Sequence, residues 1–202
     1  MRGPRAVVLG STQSVEVADH EQAGRSGVEV VHRSSGGGAV LVGPVEQVWL
    51  EAWIPSRDEL WDDDVISSSW WLGETWKRAL EGLGASGLRV HRGRAIRGDW
   101  SDVVCFAAVG PGEVTAGTAK VVGIAQRRTR QGARLQSMAP LWWDPAPLLA
   151  VLALDPERAR QAHDALRDEV IGVGALLPPP HRDAGPGSVL LAVEDALIAA
   201  LP

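Results

Sequence analysis

Tyrosine is absent from this chain, phenylalanine occurs once, and cysteine occurs once, as Cys105. One cysteine cannot staple a chain to itself, so no disulfide framework is expected and an oxidising compartment is not indicated. Lysine is scarce too. Of 20 basic residues only Lys77 and Lys120 are lysines. Arginine is a planar fork that stays charged, whereas lysine is a compact point charge whose pKa shifts readily on burial, so a retained lysine invites a reason. No apolar run reaches the roughly 20 residues that a membrane span needs. The opening residues, Met1 to Gly10, carry two arginines and a short apolar run, without the longer apolar region and small-residue cleavage site of a signal peptide. The expectation is a cytoplasmic protein with no membrane partner. A net charge of −5 and a pI near 5.5 argue against a nucleic-acid partner, which asks for a basic footprint. His32, His91, His163 and His181 share no metal-ligand spacing, His20 sits in a polar stretch, and Asp62-Asp63-Asp64 reads as a solvated loop. No metal site is expected.

What is present is ordinary for a globular protein: 202 residues, 45% apolar and 22% charged, enough chain to bury a substantial core without staples. Short apolar runs bounded by glycine or proline predict strands at Ala6–Leu9, Val28–Val31, Ala39–Val42, Leu88–His91 and Arg134–Leu141, with a looser alternation from Val45 to Ile54. Val103–Val109 reads as a strand or strand edge. Glu113–Ala116 and Ala119–Arg127 read as a hairpin turning at Gly117-Thr118. Ser67–Leu83 reads as a helix, with N-caps offered by Ser67-Ser68-Ser69 and an end at Gly84. After Pro145 the pattern turns helical: Asp155 caps a helix with Pro156 at its first position, and Ser188 caps a last one. Strands around one central helix, followed by terminal helices, predict an α+β domain. Residues 1–150 form its main part and 151–202 a helical extension packed on it.

Three constellations carry candidate chemistry. Arg33-Ser34-Ser35-Gly36-Gly37-Gly38 lies between two strand candidates. Successive glycines let backbone approach a ligand closely, and exposed N–H groups in such a loop make an anion-binding concavity. Arg33 adds a fork suited to phosphate or carboxylate. The same pattern also reads as a flexible hairpin loop. It is neither a Walker loop nor a dinucleotide fingerprint. Lys120 heads an apolar strand in which Gly123 leaves room for a ligand. A lysine there can stabilise charge developing on a carbonyl, or it can be a snorkelling strand-end residue. Cys105 reads as a small core residue, or as a nucleophile if a positive group stands near it.

Together these segments resemble the lipoate–protein ligase and octanoyltransferase family, which shares a catalytic fold with biotin–protein ligases. Leu9-Gly10-Ser11-Thr12-Gln13 resembles the family's Leu-Gly-x-x-Gln strand end. His32-Arg33-Ser34-Ser35-Gly36-Gly37-Gly38-Ala39-Val40 is similar to its Arg-Arg-x-Ser-Gly-Gly-Gly-Ala-Val loop, with His32 for the first Arg. Lys120-Val121-Val122-Gly123-Ile124-Ala125-Gln126-Arg127 is similar to its Lys-x-x-Gly-x-Ala-Gln-Arg strand. Val104-Cys105-Phe106, some fifteen residues before the lysine, resembles the Cys-Phe segment of the octanoyltransferase branch. The likeness runs from Ala6 to Leu149.

The resemblance implies a biotin/lipoate-ligase-like mixed sheet flanked by helices, and transfer of an octanoyl or lipoyl group to a lysine of a lipoyl carrier domain. The partner classes it implies are the carrier domains of 2-oxoacid dehydrogenases and the glycine-cleavage carrier protein. It assigns Lys120 and Cys105 as catalytic. It gives substrate-binding roles to Arg33, Ser35, Gly36, Gly37, Gly38, Ala39, Gly123 and Ala125. Two donors are open. Octanoyl-acyl carrier protein would pass its acyl group through a Cys105 thioester, which divides the transfer into two steps, with nearby Lys120 favouring the thiolate. Lipoate plus ATP and magnesium would pass through an acyl-adenylate. No tightly bound cofactor is implied in either case. About fifty residues follow Leu149, fewer than a large accessory domain closing over an adenylate needs, which favours the cysteine route. After the glycine loop the family continues to a His-Asp pair, whereas this chain reads Leu41-Val42-Gly43-Pro44, and Gln136-Ser137-Met138 stands where the family often has Gln-His-Gly. A non-catalytic relative that binds an acyl group or a lipoyl domain is the reading these departures favour. The chain also begins later than a typical member.

Overall fold

A computed structural model describes residues 4–202; Met1–Gly3, at the head of the expected 1–150 unit, lie outside the described residues. In chain order the elements are β1 (Arg5–Leu9), α1 (His20–Arg25), β2 (Val28–His32), β3 (Val40–Val42), β4 (Gln47–Pro55), α2 (Trp70–Gly82), β5 (Leu88–Val90), β6 (Ile96–Arg97), β7 (Ala108–Val109), β8 (Val114–Ala116), β9 (Ala119–Arg128), β10 (Gly132–Pro140), α3 (Ala146–Leu149), α4 (Pro156–Glu169), α5 (Val173–Leu176), α6 (Pro179–Arg182) and α7 (Pro186–Ala200). Two sheets dominate. The larger runs β4-β10-β9-β8-β5 and is antiparallel throughout. The smaller runs β2-β1-β3, with β1 parallel to β2 and antiparallel to β3. Strands and helices thus form the mixed α+β architecture expected from the pattern.

Alternation explains how β4 and β10 sit. Trp49, Glu51 and Trp53 pair across from Met138, Gln136 and Arg134, so these six share one face. The opposite face of the pair carries Val48 and Ile54 with Leu135 and Ala139, and it packs into a core with Leu72, Trp76 and Leu80 of α2 and Val189, Val193 and Leu197 of α7. A strand places successive side chains on opposite faces, so β10 also reaches the other core through Met138. That second core gathers Val7, Leu9, Val40, Val104 and Phe106 under Leu148 of α3 and Leu166 of α4. Helices beyond residue 150 therefore close both cores, α7 the first and α4 the second. Asp155 caps α4 as expected, accepting from Glu157 N at 3.0 Å and Arg158 N at 2.9 Å, with Pro156 as its first residue.

Three local expectations are corrected. Ser67-Ser68-Ser69 form a 3₁₀ turn before α2 and not a side-chain cap; Ser69 Oγ is spent on Pro111 O at 2.9 Å. The last helix begins at Pro186 behind Gly185, so Ser188 lies inside it. Most consequentially, Val103–Val109 is not one strand: Cys105–Ala107 form a 3₁₀ turn, and the strand proper is Ala108–Val109, paired with β6. A short apolar run is ambiguous between these states. Here Val104 makes a single parallel bridge to Ala39, and the chain then turns, with Ala107 N donating to Val104 O at 3.1 Å. Among the described residues no helix is long and apolar enough to cross a membrane.

Candidate active site

The glycine loop is held by contacts that tolerate no side chain. A Cβ at Gly10 would stand 1.8 Å from Gly37 O, and one at Gly38 would stand 2.5 Å from the Val104 carbonyl carbon. Gly37 itself has φ +99°, a conformation that L side chains rarely adopt. The loop is thus pressed between the end of β1 and the segment leading into Cys105. Gln13 completes the clamp: its Oε1 accepts from Gly10 N at 3.0 Å, and its Nε2 donates to Asp102 O at 2.8 Å. His32, in the position of the family's first Arg, lies at 2.9 Å from Gln13 O through Nε2.

Arg33 faces inward. Its Nη1 donates to Val8 O at 3.2 Å, and its Nη2 donates to Gly36 O at 2.8 Å and Gly38 O at 2.9 Å. The same Nη2 lies 3.7 Å from Cys105 Sγ. The positive group beside the thiol is therefore Arg33. The expectation that placed Lys120 there is revised, since its ammonium reaches the Cys105 carbonyl and not the sulfur.

Lys120 is not a strand-end snorkeller. It is 1% exposed. Its Nζ pairs with Glu113 Oε2 at 2.8 Å and donates to Ala108 O at 2.7 Å and Cys105 O at 3.2 Å, which occupies all three of its protons. The Phe106 ring centroid lies 4.8 Å away. Glu113, also buried, accepts from Gly110 N at 2.6 Å and Ile124 N at 2.9 Å. Gly123 leaves the space that the lysine uses, because a Cβ there would meet Lys120 Cε at 3.3 Å.

These groups line two adjoining clefts. One, narrow at about 30 Å³, is largely apolar and is walled by Val40, Trp49, Phe106, Gly123 and Met138, with Arg33, Ser35 and Gln136 also on its lining. The other is the more polar of the two and is walled by Gly36, Gly37, Gly38, Arg97, Glu113 and Lys120. Cys105, Ile124 and Ala125 border both. The structure thus brings together Lys120, Cys105, Arg33, Ser35, the three glycines, Gly123 and Ala125 around one seam. Ala39, fully buried, does not line either cleft; it supplies the backbone bridge to Val104.

Sequence reasoning missed Glu113 and Gln136. Gln136 carries the loop to the large sheet: Ser35 Oγ donates to its Oε1 at 3.2 Å, and its Nε2 donates to Glu51 Oε2 at 2.8 Å. Arg134 pairs with Glu51 at 2.6 Å, and that hydrogen bond holds the Glu51 carboxyl below the usual carboxylate range, helped by Gln136 against the partial desolvation of the site. The signal for Gln136 was present, as the Gln of the family's Gln-His-Gly. Glu113 had none.

Residues 1–193 match the family model described as the lipoyl protein ligase A/B catalytic domain. A solved archaeal lipoylation system from Thermoplasma acidophilum, a bi-partite lipoate protein ligase with its E2 lipoyl domain, superposes with a TM-score of 0.71 at 20% identity, covering 98% of this chain and 67% of that one. A lipoate–protein ligase A bound with ATP superposes with a TM-score of 0.64 at 22% identity, covering 98% of this chain and 68% of that one. At such identities the likeness speaks for the fold. A search of curated protein sequences finds no match.

Proposed function

Because this chain belongs to the lipoyl protein ligase A/B catalytic-domain family, we propose that it transfers an octanoyl group from an acyl-carrier thioester to the lysine of a lipoyl carrier domain through Cys105. The observation that carries the reading is the position of Cys105: the residue borders both clefts, and its sulfur sits 3.7 Å from the Arg33 guanidinium. A thiol at this seam can carry a covalent acyl intermediate.

In the first step the Cys105 sulfur attacks the acyl carbonyl, the carrier's thiolate leaves and takes a proton, and an acyl-enzyme thioester forms. In the second the carrier lysine's free amine attacks that thioester, an amide forms, and the Cys105 thiol is restored. The acyl chain lies in the apolar cleft beside Gly123 and Met138. Lys120 Nζ exchanges a backbone carbonyl for the acyl oxygen and stabilises the charge that develops on it. Lipoyl carrier domains are the acceptor class; the Thermoplasma system pairs a lipoate protein ligase with its E2 lipoyl domain.

One observation favours a second reading. The more polar cleft beyond Cys105, walled by Gly36, Gly37, Gly38 and Arg97, with Glu113 neutralised by Lys120, offers glycine backbone and a guanidinium to a phosphate, as an ATP-dependent ligase passing through a lipoyl-adenylate requires. Such a reaction would take ATP and magnesium as substrates.

Intact-mass measurement separates the two. The protein is incubated with a lipoyl domain and either octanoyl-acyl carrier protein or lipoate with ATP. The transferase reading expects an octanoyl adduct on the enzyme, then on the lipoyl domain, only with the acyl-carrier donor, and lost in Cys105→Ser. Modification only with ATP, unaffected by that substitution, assigns the ligase. No mass shift in either arm overturns both and leaves a binding relative.

A further inference from the structure

A third cleft, of about 440 Å³, adjoins the apolar one and is walled by Leu41, Val45, Trp142, Trp143, Pro147 and Leu148 among others. Two residues line both the apolar cleft and this chamber: Val40 and Met138. They stand at the junction of the two. Both are buried, Val40 at 5% and Met138 at 6% exposure.

The chamber's chemistry selects its occupant. Polar side chains on its lining are engaged locally. Arg5 Nε pairs with Glu46 Oε1 at 2.8 Å, Gln47 bonds both Gly43 N and Gly43 O at 3.0 Å, and Asp144 accepts from Ala146 N at 2.9 Å. Arg5 Nε has its charge met by Glu46 without hydrogen-bond geometry, and it is the one buried polar side-chain atom of this lining left without a hydrogen-bond partner among the described residues. The remaining wall is aliphatic and indole, a surface that hydrocarbon covers favourably. The junction itself is unequal. Val40 is β-branched and stiff about χ1, whereas methionine has three rotatable side-chain bonds and adapts to irregular gaps.

We propose that this chamber is a distal acyl site, and that Met138 is the gate that sets the acyl chain length the protein accepts. The inference rests on the proposed placement of the acyl chain in the apolar cleft. With Met138 in place a short chain ends at the junction. A longer chain needs Met138 to swing aside, and its terminal carbons then lie between Leu41 and the tryptophans.

The test reads chain length, not activity alone. Binding of octanoate and dodecanoate is measured by calorimetry on the wild-type protein and on Met138→Ala, Val40→Ala, Met138→Leu and the double variant Met138→Ala with Leu41→Trp. Transfer from the corresponding acyl thioesters is followed in parallel by intact mass. The wild type is expected to favour octanoate. Met138→Ala is expected to shift the ratio towards dodecanoate by about tenfold or more, the scale at which a few methylenes discriminate in an apolar pocket. Val40→Ala opens the same junction and shifts the ratio in the same direction. Met138→Leu, which conserves volume, leaves it near wild type. Leu41→Trp fills the chamber and cancels the gain of Met138→Ala. An unchanged ratio in both opening variants, with octanoyl transfer intact, overturns the gate and leaves the functional reading standing. A gain that survives Leu41→Trp overturns the chamber. Absence of fatty-acid binding in every protein overturns the inference together with the placement on which it rests.

Discussion

Lys120 and Glu113 form a coupled buried pair at 2.8 Å, and that coupling has a measurable consequence. Removing one partner of a buried ion pair strands the other charge away from water, at a cost of about 3–5 kcal/mol. Lys120→Met and Glu113→Gln are therefore each expected to destabilise the protein strongly. The double variant should cost less than the sum, because no unpaired charge remains. Urea unfolding of the four proteins measures this directly, and additive costs would show the pair to be uncoupled. Lys120 was visible in the sequence because lysine is so rare in it. Glu113 was not. It lies just before β8, and the β8–β9 register shifts at Val114 and Thr115. An irregular register decides which side chains meet across a hairpin, and no residue pattern announces it. Cys105 was legible as a residue but not as a neighbour: its proximity to Arg33 spans 72 positions in the chain.

At the scale of elements, the strands and long helices followed from periodicity and punctuation. The alternation in β4 placed Trp49, Glu51 and Trp53 on one face, and Asp155-Pro156 marked the start of α4. The failure fell on the segment carrying Cys105, where the extended backbone is limited to one bridge, Val104 to Ala39, before a 3₁₀ turn. The same element scale carries a pH dependence. Arg134 on β10 keeps the Glu51 carboxyl of β4 below the usual carboxylate range. A carboxyl depressed in the folded state contributes stability above its unfolded value, and that stability is lost as pH falls through the folded value. Glu51→Gln is thus expected to flatten the acid limb of stability against pH. The change should be under about 1 kcal/mol, because the pair is partly exposed. Unfolding midpoints through the acid range check it, and a limb as steep as wild type would remove Glu51 as its source.

At the scale of the molecule, the site lies where two cores meet. β10 joins them, giving Leu135 and Ala139 to one and Met138 to the other. Leu197→Ala on α7 and Leu166→Ala on α4 empty opposite cores, and each is expected to cost about 2–5 kcal/mol. Because one strand belongs to both cores, the two variants should lower a single shared transition. Calorimetry or denaturant unfolding that resolves two separate steps would show instead that the cores melt independently.

The sequence alone determined the fold class, the family and most of the groups that line the seam, because backbone preferences and short motifs are local and survive in one dimension. The tertiary structure decided their relations: that Arg33 and not Lys120 faces the thiol, that Glu113 holds the lysine, and that Met138 and Val40 stand at the junction of the apolar cleft and an adjoining chamber. Those are distances between residues far apart in the chain or set by an irregular register, and they exist only once two sheets have closed on one another.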